Sequence, residues 1–450
     1  MKYFTSALTL CVLMAVSSAK NILDYNITVG KEISVEDEFK NARALERAFE
    51  DANNDADDRE VLIPKGTIMS MMPTYLKNLT NVSLRVEGTI LQSKNWVQYP
   101  FSNDDDNHYD ALLWFQHCDG ILIEGKGSID GQGFMWWIRE ILQKNLHTRP
   151  YIIRYNLCRN LEVRDVLILN SPYYHIVPDD CENIYMHDFE IYVDIWGQLE
   201  LHRLFSYKYG VEKHELANGF SIEMPIFPLN TDGIDIWARN ATFRRVKITN
   251  FDDSIVPKPC NQGNEICKCT ENILIEDCET LYTVGMTIGS VPPSTNHACI
   301  KDVIFRNIYM NQPIKGIYVK PNPGDHGDGL IQNITYENFV MDTPIWWAVW
   351  IGPQQQYQPG WTHDAGCSMT YPWGKCDTYK AVTMDHITLR NITSTNSLLP
   401  AGVILCNDTN PCTNFHFEDV DLRTPLWDAL GYGWFKQYVE GTTKNVFPDP

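Results

Sequence analysis

The stretches Gly233-Ile234-Asp235-Ile236, Ser254-Ile255-Val256-Pro257, Gly285-Met286-Thr287-Ile288 and Gly316-Ile317-Tyr318-Val319 start 21, 31 and 31 residues apart. Ala348-Val349-Trp350-Ile351 and Gly402-Val403-Ile404-Leu405 continue the series. A second series opens on Asn or Asp: Asn160-Leu-Glu-Val, Asn183-Ile-Tyr-Met, Asn240-Ala-Thr-Phe, Asn272-Ile-Leu-Ile, Asp302-Val-Ile-Phe, Asn333-Ile-Thr-Tyr and Asn414-Phe-His-Phe. Short β-branched and aromatic runs between turn residues, without a long 3.6-residue period, are strands, and their steady return marks one coil per repeat. A propeller would need longer units of four strands each. The sequence therefore predicts an all-β, single-domain, right-handed parallel β-helix. The Ala-, Glu- and Arg-rich segment from Glu38 to Ala52 reads as a helix capping its N-terminal end.

Stacking has a chemical consequence, because equivalent positions of successive coils lie only ~4.8 Å apart. If Ile234 and Ile236 point into the coil, Asp235 points out; if Ile317 and Val319 point in, Tyr318 and Lys320 point out. Thr287 and Lys258 face outward by the same parity. One face is thus expected to gather acidic groups, a threonine, a tyrosine and two lysines from separate coils.

The chain has 450 residues, 44% hydrophobic and 21% charged, enough to bury a sizeable core. A net charge of −20 argues against nucleic acid as a partner, since phosphate binding needs Lys and Arg to displace counterions. At the N-terminus, Lys2, the apolar run Ala7 to Val16 and Ser17-Ser18-Ala19 have the form of a signal peptide over residues 1–19. The mature domain is then 20–450, a secreted, extracellular monomer with no membrane segment. Removing Cys11 leaves twelve of the thirteen cysteines, an even number compatible with disulfides. Cys260, Cys267 and Cys269 lack the second ligand pair of a metal knuckle, and no metal site is expected. Asn26, Asn78, Asn81, Asn240, Asn333, Asn391 and Asn407 open glycosylation triplets.

Just ahead of two neighbouring strands of the outward face lie Asn230-Thr231-Asp232 and Asp252-Asp253. Carboxylates crowded on adjacent coils repel, which raises at least one pKa and leaves a protonated acid beside an ionised base. Glycosidic hydrolysis needs that pairing, with roughly 6.5–9.5 Å between the two functions when water attacks directly and the configuration inverts. By themselves the same motifs also suit turns or a calcium site.

Their surroundings narrow the choice. Gly127-Ser-Ile-Asp-Gly-Gln-Gly133 with Trp136-Trp137, Asn170-Ser-Pro172 followed by Pro178, Asn230-Thr-Asp-Gly-Ile-Asp235, Asp252-Asp-Ser-Ile-Val-Pro-Lys258 and Gly285-Met-Thr-Ile-Gly-Ser290 follow one another in order. With these motifs the chain, from about residue 60 to 425, resembles glycoside hydrolase family 28, the polygalacturonase and rhamnogalacturonase group. The resemblance implies a right-handed β-helix, inverting hydrolysis of pectic polysaccharide and no obligatory cofactor. By motif, Asp252 resembles the general acid, and Asp232 and Asp253 the carboxylates that hold and activate water. Two positions depart from the pattern. Val284 stands where a Gly-His-Gly histidine is usual, and Tyr318-Val319-Lys320 replaces an Arg-Ile-Lys triplet. Tyr318 offers a hydroxyl and an aromatic face instead of a bidentate guanidinium, which points to a branched or mixed pectic chain rather than plain homogalacturonan. Lys320 reads as a ligand for a sugar carboxylate, and Lys258 as a substrate ligand or a counter-charge. The competing readings are a polysaccharide lyase on the same scaffold, which the carboxylates disfavour, and a non-catalytic wall-binding relative.

Two excursions are expected to border the groove. One holds His202, Tyr207, Tyr209, His214, Phe220, Phe227 and Pro228. The other, Gln354 to Lys380, carries Trp361, Trp373, Cys367 and Cys376 and reads as a disulfide-braced aromatic loop.

Overall fold

The computed structural model describes residues 19–101, 108–142, 148–194, 196–197, 215–216, 220–221, 228–324, 326–352, 367 and 370–450. The signal-like segment up to residue 18, and all of the first excursion except 215–216, 220–221 and 228, lie outside the described residues.

Among the described residues the strands of successive coils pair in parallel. Along one wall Val82 pairs with Ile121, Ile121 with Leu161, Leu161 with Ile184, Ile184 with Ala241, Ala241 with Ile273, Ile273 with Val303, Val303 with Ile334, and Ile334 with Ile387. This column is buried throughout and forms the axis of the core, joined by ring stacks such as Phe115 on Tyr155 and Phe305 on Tyr336. Each such aliphatic side chain contributes roughly 1.5–3 kcal/mol on burial. Parallel strands joined by crossovers wind right-handedly, so the architecture is the right-handed parallel β-helix expected from the repeat.

The residue leading the second strand series does specific work at each corner. Asn160, Asn183, Asn240, Asn272, Asp302, Asn333 and Asn414 all take left-handed backbone with φ between 54° and 58°, a conformation Asn and Asp tolerate better than other side chains. Their amides also bond coil to coil: Asn183 donates to Asn160 at 3.2 Å, Asn240 to Asn183 at 3.4 Å, and Asn272 to Asn240 at 3.1 Å.

The capping helix α1 runs Val35–Asn54, beginning three residues before and ending two residues after the segment read from composition. Ser34 caps it by accepting the Asp37 N–H, and Glu36, Asp37 and Glu38 favour the positive end of the helix dipole. Its buried face, including Ala44, Leu45, Ala48 and Phe49, joins the main core.

The outward face is built from two sheets that meet at a seam. Leu113, Ile153, Ile176, Ile234 and Ile255 align across the strands up to Ile255–Pro257. Beyond it a separate sheet begins, in which Met286 pairs with Ile317 and Ile317 with Val349. Between Ile255–Pro257 and Met286–Val291 the pairing is the isolated bridge of Asp253 with Gly285.

The disulfides compatible with the even count are present, though they use eight of the twelve cysteines. Four disulfides form, Cys260–Cys267, Cys269–Cys299, Cys367–Cys376 and Cys406–Cys412. Cys118, Cys158, Cys181 and Cys278 stay reduced and buried, packing as small apolar side chains inside the coil.

Candidate active site

The seam gathers the candidate residues. Asp232 precedes the strand Ile234–Arg244, Asp252 and Asp253 precede Ile255–Pro257, Thr287 lies on Met286–Val291, and Lys320 lies on Lys315–Pro321. One oxygen from each of the three aspartates lies within 4.8 Å of the others.

Asp253 is the best-held group. Thr287 donates its hydroxyl to Oδ1 at 2.7 Å, the Lys320 ammonium donates to Oδ2 at 2.6 Å, and Lys258 stands 3.9 Å from Oδ2. Burial alone would push its pKa up, but Lys320 and Lys258 outweigh it and hold the carboxyl below its usual range. Asp252 goes the other way: burial, then the charge of Asp253, raise it against the pull of Lys320. Its Oδ1 accepts the Asp253 N–H at 2.9 Å, and its Oδ2 the Asn230 N–H at 2.8 Å. Asp232 is raised well above the carboxylate range by burial, then by Asp252, Asp235 and Asp253. Its buried Oδ1 has no hydrogen-bond partner among the described residues. Asp235, pointing outward as parity requires, is pushed up to about 6 by burial against the attraction of Lys258, whose Nζ is 3.2 Å away. The environment thus tunes neighbouring carboxyls in opposite directions, Asp253 downward and Asp252 and Asp232 upward.

The two lysines do not stand free. Lys258 is shared between Asp235 and Asp253, and Lys320 is committed to Asp253, so both serve as internal counter-charges here. Tyr318 departs from its expectation. It points away from the coil interior, yet it is only 2% exposed, packed with Trp347, Trp350, Val403 and Leu405 in a second core. The aromatic residues of later coils cover it, and parity cannot see them. The Lys315 ammonium lies 3.4 Å from its ring centre. Val284 packs against the same cluster, and its N–H donates to the Asp252 carbonyl at 2.8 Å.

Several supporting residues escaped the sequence reading. Asn250 is fully buried, and its amide donates to the carbonyls of Thr231 at 2.9 Å, Asp252 at 3.1 Å and Asp253 at 2.8 Å, tying both aspartate turns together. Thr283 donates to the Asp252 carbonyl from the next coil at 2.9 Å. His175 is buried under Asp232: Nε2 accepts the Ser171 N–H at 3.3 Å, so Nδ1 donates to the Asp232 carbonyl at 2.9 Å. Burial lowers its pKa to about 4 and keeps it neutral. His175 follows the Asn-Ser-Pro motif by three residues and Asn250 immediately precedes Phe251-Asp252-Asp253. Proximity to a motif was the available signal. His202, His214 and Trp361 lie outside the described residues.

The fold is that of the parallel β-helix proteins, here with three aspartates and two lysines gathered on one outer wall. Residues 55–426 match the profile of glycosyl hydrolases family 28, and the chain belongs to that family. It is similar to a polygalacturonase of Chamaecyparis obtusa, with 25% identity over 82% of this chain and 62% of the relative. It is also similar to a probable rhamnogalacturonase E of Aspergillus flavus, with 22% identity over 92% of this chain and 74% of the relative. The chain spans 62% and 57% of the lengths of the Chamaecyparis obtusa and Cryptomeria japonica polygalacturonases. Among solved structures, an endo-xylogalacturonan hydrolase from Aspergillus tubingensis shares the fold with a TM-score of 0.61 at 16% identity, covering 94% of this chain and 96% of that one. A polygalacturonase from Erwinia carotovora does so with a TM-score of 0.62 at 19% identity, covering 93% and 96%.

Proposed function

We propose that the protein is a secreted glycoside hydrolase that cleaves galacturonate-containing pectic polysaccharide with inversion, Asp252 acting as general acid and Asp253 with Asp232 directing the water. The observation that carries this reading is the opposite tuning of two adjacent carboxyls: Asp252 is raised and Asp253 lowered. A raised acid can protonate the leaving oxygen while the ionised neighbour takes a proton from water. Both oxygens of Asp253 are occupied, by Thr287 and Lys320. The unpartnered Asp232 Oδ1 offers that water a seat. Export is supported by the signal-like N-terminus and the four disulfides.

The substrate we infer is a branched or mixed chain. Tyr318 is enclosed by aromatic neighbours where a guanidinium would reach a sugar carboxylate, and Lys320 is already engaged by Asp253. Recognition by planar bidentate charge is therefore weak here. The test is incubation with defined pectic oligosaccharides, reading product masses and the anomeric form of the new reducing end. Inverted product from rhamnogalacturonan or substituted galacturonan, lost in Asp252→Asn, is expected. Retained configuration, or turnover confined to unsubstituted polygalacturonate, defeats the reading.

A further inference from the structure

We propose that Arg149 is a positioning residue for the general acid, acting on Asp252 through Asn230; the inference rests on the hydrolytic reading above. Arg149 is only 2% exposed. Its guanidinium gathers three segments of chain: Nη1 donates to the Pro172 carbonyl at 2.8 Å, and Nη2 to the Leu229 carbonyl and to Asn230 Oδ1, both at 3.0 Å. Its ring contact is Tyr173, with Cζ 4.9 Å from the centroid. Its ionic partner Glu140 is distant at 3.7 Å and half exposed, so the charge is poorly compensated where it sits. A buried, weakly paired arginine is costly to keep.

What it fixes is Asn230. That residue takes left-handed backbone, with φ 62°, and its N–H is the donor to Asp252 Oδ2. Two backbone N–H groups define the Asp252 carboxyl plane, and the Asn230 side-chain amide adds a longer contact to Oδ2 at 3.5 Å. One belongs to the next residue in the chain and follows Asp252 wherever it moves. The other comes from a different coil, so it sets the direction of the carboxyl relative to the groove only while Asn230 is held. Arg149 holds it, by the side-chain amide and by the preceding carbonyl. An acid displaced by about 1 Å loses on the order of 10²-fold in rate.

The titratable groups facing Asp252 are Asp253 on its own turn, Asp232, Lys320, Lys315, Tyr318 and Arg149. Both effects of Arg149, its charge and the N–H it orients, favour the ionised form of Asp252. Removing it therefore moves the basic limb of the kcat profile to higher pH, a change that loss of packing alone would not produce.

Arg149→Met is expected to lower kcat about 10- to 100-fold, with KM within about twofold and the basic limb moved upward. Arg149→Lys keeps the charge without the fork and is expected to recover part of kcat and most of the limb position. Asn230→Gly accepts the left-handed backbone freely and tests the second link should Arg149→Met fold poorly, with the same direction of change in kcat. Carboxyl carbon NMR of Asp252 in wild type and Arg149→Met reads the same upward shift without turnover. If wild type hydrolyses no pectic oligosaccharide, the hydrolase reading fails, while the NMR shift still decides the role of Arg149. An unmoved limb and Asp252 resonance, or a loss confined to KM or to thermal stability, overturns the proposal.

Discussion

Replacing Lys320 by Met tests whether Asp253 is ionised because the site makes it so. The Lys320 ammonium sits 2.6 Å from Asp253 Oδ2, and Lys258 sits 3.9 Å from the same oxygen. At an effective dielectric near 20 the gross attractions are about 6 and about 4 kcal/mol, so Lys320 supplies the larger part and Lys258 cannot replace it. Removing one partner of a buried ion pair costs about 3–5 kcal/mol, because the other charge is left without compensation. In the native protein Asp253 lies below its usual range. It contributes stability that is fully present above its unfolded pKa of ~3.9 and is lost as pH falls through the folded value. In Lys320→Met burial is opposed only by Lys258 and Thr287, and the folded pKa moves upward toward the unfolded one. The stability that ionised Asp253 lends near neutral pH shrinks, and the variant loses less on acidification than the native protein does. The acidic limb of the rate profile moves upward with it, since a protonated Asp253 accepts no proton from water. Thermal melts from pH 3 to 8 beside kcat over the same range measure both. Melting and rate curves that keep the wild-type pH dependence would refute the assignment of Asp253 as the ionised partner.

Gly285 has φ 146°, and a Cβ there would lie 2.9 Å from the Gly316 carbonyl oxygen and 3.2 Å from that of Lys315. Gly285→Ala is expected to cost about 1–3 kcal/mol and to lower kcat, because the strain falls on the bridge to Asp253; a folded variant with native kcat would count against that bridge as a support of the site. Activity is expected to survive exhaustive chelation and to yield no unsaturated, ultraviolet-absorbing product; loss on chelation restored by calcium would point to a metal held by the three aspartates, or to a lyase.

Parity was the strongest signal in the sequence. It placed Asp235, Thr287, Tyr318 and Lys320 outside the coil, and strand stacking brought Asp232, Asp252 and Asp253 together as the motifs implied. Parity fails for what lies outside the coil. Tyr318 is outward yet enclosed, because Trp347, Trp350 and Val403 come from later coils and cover it. Charge pairing was equally hidden: Lys320 is 67 residues from Asp253, and nothing local indicates that its ammonium is already taken. Buried cysteines illustrate a third limit, since an even count is equally compatible with four bridges and four inert thiols. The Asn-led runs marked the corners, but the amide column joining them emerged only from the coil-to-coil geometry.

The seam in the outer wall divides the site between two sheets. The aspartates come from one side, while Thr287 and Lys320, which keep Asp253 charged, come from the other. The charge state of Asp253 is therefore set across a joint: one lysine reaches it from its own sheet and the nearer lysine and the threonine from the next, so the geometry at the seam and the ionisation of that carboxyl are one variable.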